Sequence, residues 1–424
     1  MTEARPIPRG DERRFMWSVV SAQVLVQIGA FTLPALLPRY IADWTLSKTE
    51  AGALIGIFFA AYVFAVPVLV SLTDRLPTRW VYAVGAGFTA VSHLGMAWLA
   101  DGFWSALLLR ALAGIGWAGA YMPGLKAIAD RLDGSAQSRA VSMHAAGVGM
   151  AGASSYAIAG LIDGYFGSSS AFLFGGLAAL AGLVIAWRVM PGGATAHRKT
   201  AGPRALLDFR PVLRNRPAVA WIVGYTVHTW EMAALRAWGV TFLTVVAARA
   251  GSPYWLPAPP VLLTLAGFAG IAMSVFGNEI AHRIGRMRVV TIAFGAAAIL
   301  ALGTGWAINA SMLVASALVM AWLAAIFLDS SALTAGTVQA ADPALRGATM
   351  GLHSMCGYAG GFIGPFGVGL ALDLAGDNLA LGWGLGFGHL AIVTLLGYAV
   401  LTRLASRGAS AWVKVGAEGL PGDA

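Results

Sequence analysis

Long apolar runs alternate with short polar breaks along the chain, and the runs come close to the roughly 20 residues a helix needs to cross about 30 Å of hydrocarbon. Lipid offers no partner to a free backbone amide, so such runs are read as helices rather than open strands. Twelve are legible: 15–37, 51–72, 80–100, 103–125, 140–162, 171–190, 218–246, 261–281, 289–308, 312–333, 347–374 and 379–401. We number them spans 1 to 12. The longest polar interval, 191–217, carries Arg198, Lys199, Arg204, Arg210, Arg214 and Arg216 and divides the spans six and six. The pattern predicts an all-α polytopic membrane protein: a tail (1–14), a six-helix bundle (15–190), a linker (191–217), a second bundle (218–404) and a C-terminal tail (405–424).

Composition agrees with this picture, since 58% of the 424 residues are hydrophobic and 11% are charged. A soluble chain carries about 25% charged residues, so there is too little charge here to coat a water-facing surface. The net charge of +9 suggests nucleic acid or anionic lipid until the basic residues are placed. With the N-terminus inside, 23 of the 28 Lys and Arg fall in inner segments, whereas Arg39, Lys48 and Arg249 fall in outer loops and Arg110 and Arg236 within spans. The positive-inside rule then puts both termini in the cytoplasm of a multi-pass protein of the cell (inner) membrane. The basic excess is assigned to lipid headgroups, with no nucleic-acid partner. The first apolar run follows Arg5, Arg9, Arg13 and Arg14 and is too long for a signal-peptide core, so it is expected to be retained.

Cys356 is the only cysteine, which excludes a disulfide framework within one chain. There is no HExxH, no paired GxGD-like aspartates and no GxxxxGKS/T loop, and the loops are too short to house a catalytic domain. No enzyme activity, metal or cofactor is expected.

Comparing the chain with itself shows a repeat. RAVSMH from Arg139 answers RGATMGLH from Arg346, LTDR ending at Arg75 answers IAHR ending at Arg283, and GLID ending at Asp163 answers GLALD ending at Asp373, at offsets of 207, 208 and 210. Each pair occupies the same place in its half. This predicts two parallel six-helix repeats around a central cavity.

The loop after span 2, VSLTDRLPTRW, resembles a signature of the major facilitator superfamily, and the resemblance extends over essentially the whole chain. Asp74, Arg75 and Arg79 match, while Val70 and Pro77 stand where the family has glycine. The counterpart GNEIAHRIGR keeps Gly285 and Arg286 and has His282 and Arg283 before them, His282 replacing an expected acid. The resemblance implies that these six side chains form a charge latch at the cytoplasmic helix ends, where an aspartate can exchange helix-end amides for arginines as the halves rock. The other reading is that they only set topology. Span 4 carries LLLRALAGIG, matching the family's arginine and GxG element at Arg110, Gly114 and Gly116. An arginine in a span needs water or a partner, unless it snorkels to the headgroups, and the glycines permit close helix approach. Span 11 carries GGFIGPFGVG, similar to the glycine–proline motif on span 5 of drug–proton antiporters but on another helix, so it is read as packing and bending.

In span 7, His228 lies three residues before Glu231 on one helical face, and Glu231 is about 20 Å into the span by helix rise. A charged carboxylate at that depth requires a partner or water, which suits either a proton carrier or a static pair. Arg236 lies five residues beyond, a poor same-face spacing. Asp329, late in span 10, reads as a second titratable site or an interfacial acid. His93, His144, His353 and His389 read first as packing residues, with gating open to the repeat-related His144 and His353. The resemblance implies that spans 1, 4, 7 and 10 line the cavity, making Gln23, Gln27, Trp117 and Tyr121 candidate substrate contacts. The reading that results is a secondary transporter of a small organic solute working by alternating access and coupled to protons. Arg110, Arg236 and the histidines tilt the substrate towards an anion or zwitterion. A proton-coupled multidrug efflux antiporter is the alternative, and a membrane-embedded enzyme or transporter-like receptor is a third reading. The implied partners are the substrate, the proton and the bilayer, and the family resemblance implies a monomer.

Overall fold

The computed structural model describes residues 11–73, 75–190, 192 and 208–417. Among them all regular structure is helical. Span 1 is two helices, Glu12–Gln27 and Thr32–Asp43, and spans 2 to 6 are Lys48–Thr73, Thr78–Trp98, Phe103–Ala129, Gly134–Phe166 and Ser168–Val189. After a short helix, Arg210–Arg214, spans 7 to 9 are Arg216–Ala250, Pro259–Ile284 and Arg286–Trp306. Span 10 is Met312–Leu328 followed by Ser330–Ala340, and spans 11 and 12 are Arg346–Leu374 and Leu379–Ala417.

Eleven of these are long and apolar enough to cross a membrane. The remaining one, span 3, is more polar because it buries Thr89, Ser92 and His93, and it packs between spans 4 and 6. Its histidine is held between two backbone carbonyls, with Nδ1 2.9 Å from that of Thr89 and Nε2 3.0 Å from that of Gly29. The sequence pattern did not show the break in span 1, where the Phe31 amide donates to Ser155 Oγ at 3.0 Å. Nor did it show the break in span 10 at Asp329. Span 12 also continues to Ala417, into the interval expected to be a tail.

Three pairs of spans carry the main contacts between the halves: 2 with 11, 5 with 8, and 1 with 7. A twofold axis along the membrane normal generates just this set, because it exchanges span 2 with 8, 5 with 11 and 1 with 7. Spans 3, 6, 9 and 12 lie outside and expose apolar side chains such as Val91, Leu177, Ile299 and Leu396, which in a bilayer is the lipid-facing surface.

Small residues set how closely the helices approach. A Cβ on Gly116 would lie 2.7 Å from the Thr89 amide nitrogen, and one on Gly114 would overlap the Phe58 carbonyl. Neither neighbour is a side chain that can turn away. Gly114→Val is therefore expected to lower the melting temperature in detergent, overpacking costing about 1–3 kcal/mol. An unchanged melting curve would show that spans 2 and 4 part easily.

Candidate functional site: a cavity between the two halves

Spans 1, 2, 4, 5, 7, 8, 10 and 11 enclose a cavity of about 310 Å³. Seven rings dominate its wall: Phe31, Phe58, Phe59, Trp117, Tyr225, Phe327 and Tyr358. The rings form a packed set, with Tyr62 stacked on Tyr358 at 3.8 Å between centroids and Phe58 edge-on to Trp117 at 5.5 Å. Arg236 is the charged member of the lining, and no Asp or Glu belongs to it among the described residues.

Arg236 comes from span 7 but reaches across to the other half. Its guanidinium lies 4.0 Å from the centroid of the Phe31 ring, which in turn stacks on Tyr156. The Tyr156 hydroxyl donates to the Arg236 carbonyl at 2.6 Å. Among the described residues Arg236 has no ion pair, so its charge is held by an aromatic face and left open to the cavity.

The two membrane-depth acids face elsewhere. Both Glu231 oxygens point into the second bundle, accepting from Trp322 Nε1 at 2.6 Å and Thr394 Oγ1 at 3.0 Å. Asp329 sits at the break in span 10, its Oδ1 2.6 Å from His228 Nδ1, though neither atom has a partner in hydrogen-bond alignment. His228 stacks with Tyr225, and Tyr225 stacks on His353, whose Nδ1 meets Thr337 Oγ1 at 3.1 Å. Spans 7, 10, 11 and 12 thus share a buried polar chain behind the cavity wall.

Arg110 is buried in span 4 with its guanidinium 5.1 Å from the Phe58 ring centroid, and it belongs neither to the lining nor to an ion pair among the described residues. It therefore meets neither Glu231 nor Arg236. Trp117 lines the cavity, whereas Tyr121 lies against the His144 ring. Gln23 and Gln27 are buried at the end of the first helix of span 1, eight and four residues before Phe31.

Of the six residues expected to form a latch, Asp74 lies outside the described residues. Arg75 is exposed. Arg79 packs its guanidinium 4.5 Å from the Trp187 ring centroid. In the second half His282 is exposed, Arg283 pairs with Glu279 one turn back at 3.1 Å, and Arg286 donates to Gln339 at the end of span 10.

A different acid bridges the halves on the side away from the termini. Asp373, at the end of span 11, accepts from the amides of Lys48 and Thr49 at 2.9 and 2.7 Å and from the Thr49 hydroxyl at 2.5 Å, capping the start of span 2. Its repeat counterpart Asp163 instead pairs with Arg39 inside the first half. The glycine–proline run of span 11 belongs to the same seam: Gly52 packs on Pro365 and Phe366, and Gly369 on Lys48. Loss of this cap should open the side away from the termini. In a Cys356→Ser background with spin labels at positions 43 and 377, Asp373→Ala is expected to lengthen the inter-label distance by several ångström, and an unchanged distribution would remove Asp373 from the seal.

A twelve-helix, duplicated bundle around a central cavity defines a transmembrane transporter. The Major Facilitator Superfamily model matches residues 19–365. The chain belongs to this family, whose members are transporters rather than enzymes. Among curated proteins, Protein spinster homolog 1 of Xenopus tropicalis is 25% identical over 222 residues, 50% of this chain and 42% of that protein. The Homo sapiens homolog is 24% identical over a stretch of the same length. The chain thus spans less than half the length of these relatives. Among solved structures, a mutant of the nucleoside transporter NupG matches with a TM-score of 0.76 at 14% identity, covering 92% of this chain and 99% of that one. A bacterial homolog of the human lysosomal transporter Spinster, inward-facing and unoccupied, matches with a TM-score of 0.74 at 14% identity over 96% and 99%. At such identities the likeness concerns the fold.

Proposed function

We propose that this chain carries an organic anion with an apolar, ring-bearing body by alternating access, driven by protons. The observation that carries the reading is Arg236, a cation without an ion pair among the described residues, set in an aromatic wall where the two halves meet. A carboxylate, sulfonate or phosphate is the natural complement of an open guanidinium, and the rings supply apolar contact. Export of hydrophobic cations would be served by an acid in the wall, whereas Glu231 and Asp329 are turned into the second bundle.

The rocking bodies are residues 15–190 and 218–404, joined by the linker 191–217. The seal at Asp373, Thr49 and the span 2 and 11 glycines lies on the side away from the termini. With both termini cytoplasmic in the inner membrane, by the placement of basic residues, this is an inward-facing state. Glu231 and the His228–Asp329 pair are the proton-handling groups, acting from behind the wall. A monomer is the working unit, as the family resemblance implies.

A second reading is favoured by the ring-lined wall and by the likeness to NupG, described as a nucleoside transporter: stacking on these rings would also suit a neutral nucleoside. Counterflow in proteoliposomes separates the two. Labelled aromatic carboxylates, nucleosides and lipophilic cations are each preloaded and exchanged with and without an imposed pH gradient. Exchange of the carboxylates, accelerated by inward acidification of the donor side, supports the proposal. Exchange confined to nucleosides supports the second reading, and exchange confined to cations overturns both.

A further inference from the structure

The two halves treat their buried polar groups differently. In the second half, Glu231 has Trp322 and Thr394 and His353 has Thr337, while His228 and Asp329 face each other at 2.6 Å without hydrogen-bond alignment. In the first half, the carboxamide oxygen and nitrogen of Gln23, those of Gln27 and both ring nitrogens of His144 have no hydrogen-bond partner, and all three residues are at most 1% exposed. Leaving buried donors and acceptors unmet is costly, and such groups call for a specific explanation.

Gln23 and His144 converge beside the cavity wall rather than in it. His144 Nε2 and Gln23 Oε1 both point at the bare Cα of Gly124, since a Cβ there would lie 2.7 and 3.2 Å from them. The Tyr121 ring lies 5.5 Å from His144. Gln23 and Gln27 lie one turn apart at the end of the first helix of span 1, Phe31 sits in the break that follows, Trp117 precedes Tyr121 by one turn, and Ala145 follows His144. Phe31, Trp117 and Ala145 all line the cavity.

We infer that Gln23, Gln27 and His144 form a recognition subsite for an uncharged group that carries both a donor and an acceptor, such as an amide or the edge of a heterocycle. Two carboxamides and an imidazole present both donors and acceptors, which suits such a group better than a second ionic one. This rests on the reading of Arg236 as the anion anchor. The substrate then spans the interface, its polar neutral group in the first half and its acid on Arg236 of the second, so that occupancy and the approach of the halves are linked.

The test is titration calorimetry of the detergent-purified full chain with three probes: 4-acetamidobenzoate, 4-isobutylbenzoate, in which hydrocarbon replaces the amide, and acetanilide, which lacks the acid. We expect the acetamido acid to bind about tenfold or more tightly than the isobutyl acid, and this preference to vanish in Gln23→Leu and in Gln27→Leu. Because the replaced atoms have no partners in the protein, both variants should melt no lower than the parent chain. Equal binding of the two acids, a preference that survives both substitutions, a marked loss of melting temperature in both, or no binding of any probe would overturn the subsite. Acetanilide binding as tightly as the acetamido acid, with the amide preference intact, would instead overturn the anionic reading of Arg236 and leave the subsite standing.

Discussion

Arg236→Gln is expected to weaken binding of a transported organic anion by about a hundredfold and to stop its counterflow while leaving the protein folded. Removing one partner of a desolvated charge pair costs about 2–5 kcal/mol, and every 1.4 kcal/mol is about tenfold in affinity. The fold should persist because Arg236 makes no ion pair among the described residues that the substitution would orphan, and its carbonyl still accepts from Tyr156. Lysine is not an equivalent replacement. It keeps the charge but loses the planar group lying over Phe31 and the forked donors that match an oxyanion. Arg236→Lys should therefore recover part of the binding and little of the discrimination between anions. Wild-type affinity for the anion in Arg236→Gln, measured by titration, would remove the central observation behind the proposed substrate class.

The residues that locate this cavity were legible in unequal measure. Span positions follow from local hydropathy, and all twelve helices stand where the runs lie, because burying backbone amides in lipid leaves little choice of secondary structure. The repeat also followed from short local matches. The depth of Glu231 was readable in the same way, and its separation from Arg236 could be judged from spacing alone: five residues turn a helix by about 140° relative to one face. The target of Glu231 was not readable. Span 7 is buried nearly all round its circumference, so it has no polar stripe to fix its rotation, and Trp322 and Thr394 lie 91 and 163 residues away. The same limit hid Phe58, Phe59, Tyr225 and Tyr358, which are unremarkable in apolar runs and become a wall only when spans 2, 7 and 11 meet. Asp373 illustrates the opposite case. The repeat marked it together with Asp163, yet the two have different partners, since a match in sequence constrains position in the fold and not the neighbour across the seam.

Glu231 is where stability and coupling can be separated. Glu231→Ala removes the acceptor of two buried donors at once, and each unmet donor costs about 1–3 kcal/mol, so a loss of roughly 2–6 kcal/mol and a clearly lower melting temperature are expected. Glu231→Gln keeps a side chain of the same shape. Its amide oxygen can accept from Trp322 Nε1, and its amide nitrogen can donate to the Thr394 hydroxyl, which is able to accept as well as donate. This variant should melt close to the parent chain. If Glu231 carries the proton, the glutamine form should still exchange substrate in counterflow, which needs no driving force, but should no longer accumulate it under a pH gradient. Accumulation that persists in Glu231→Gln would move the coupling step to Asp329 and His228. The same pair of measurements on the double variant Glu231→Gln, Asp329→Asn then decides whether either acid carries it, for a chain that accumulates substrate with both acids replaced is not driven through this polar network.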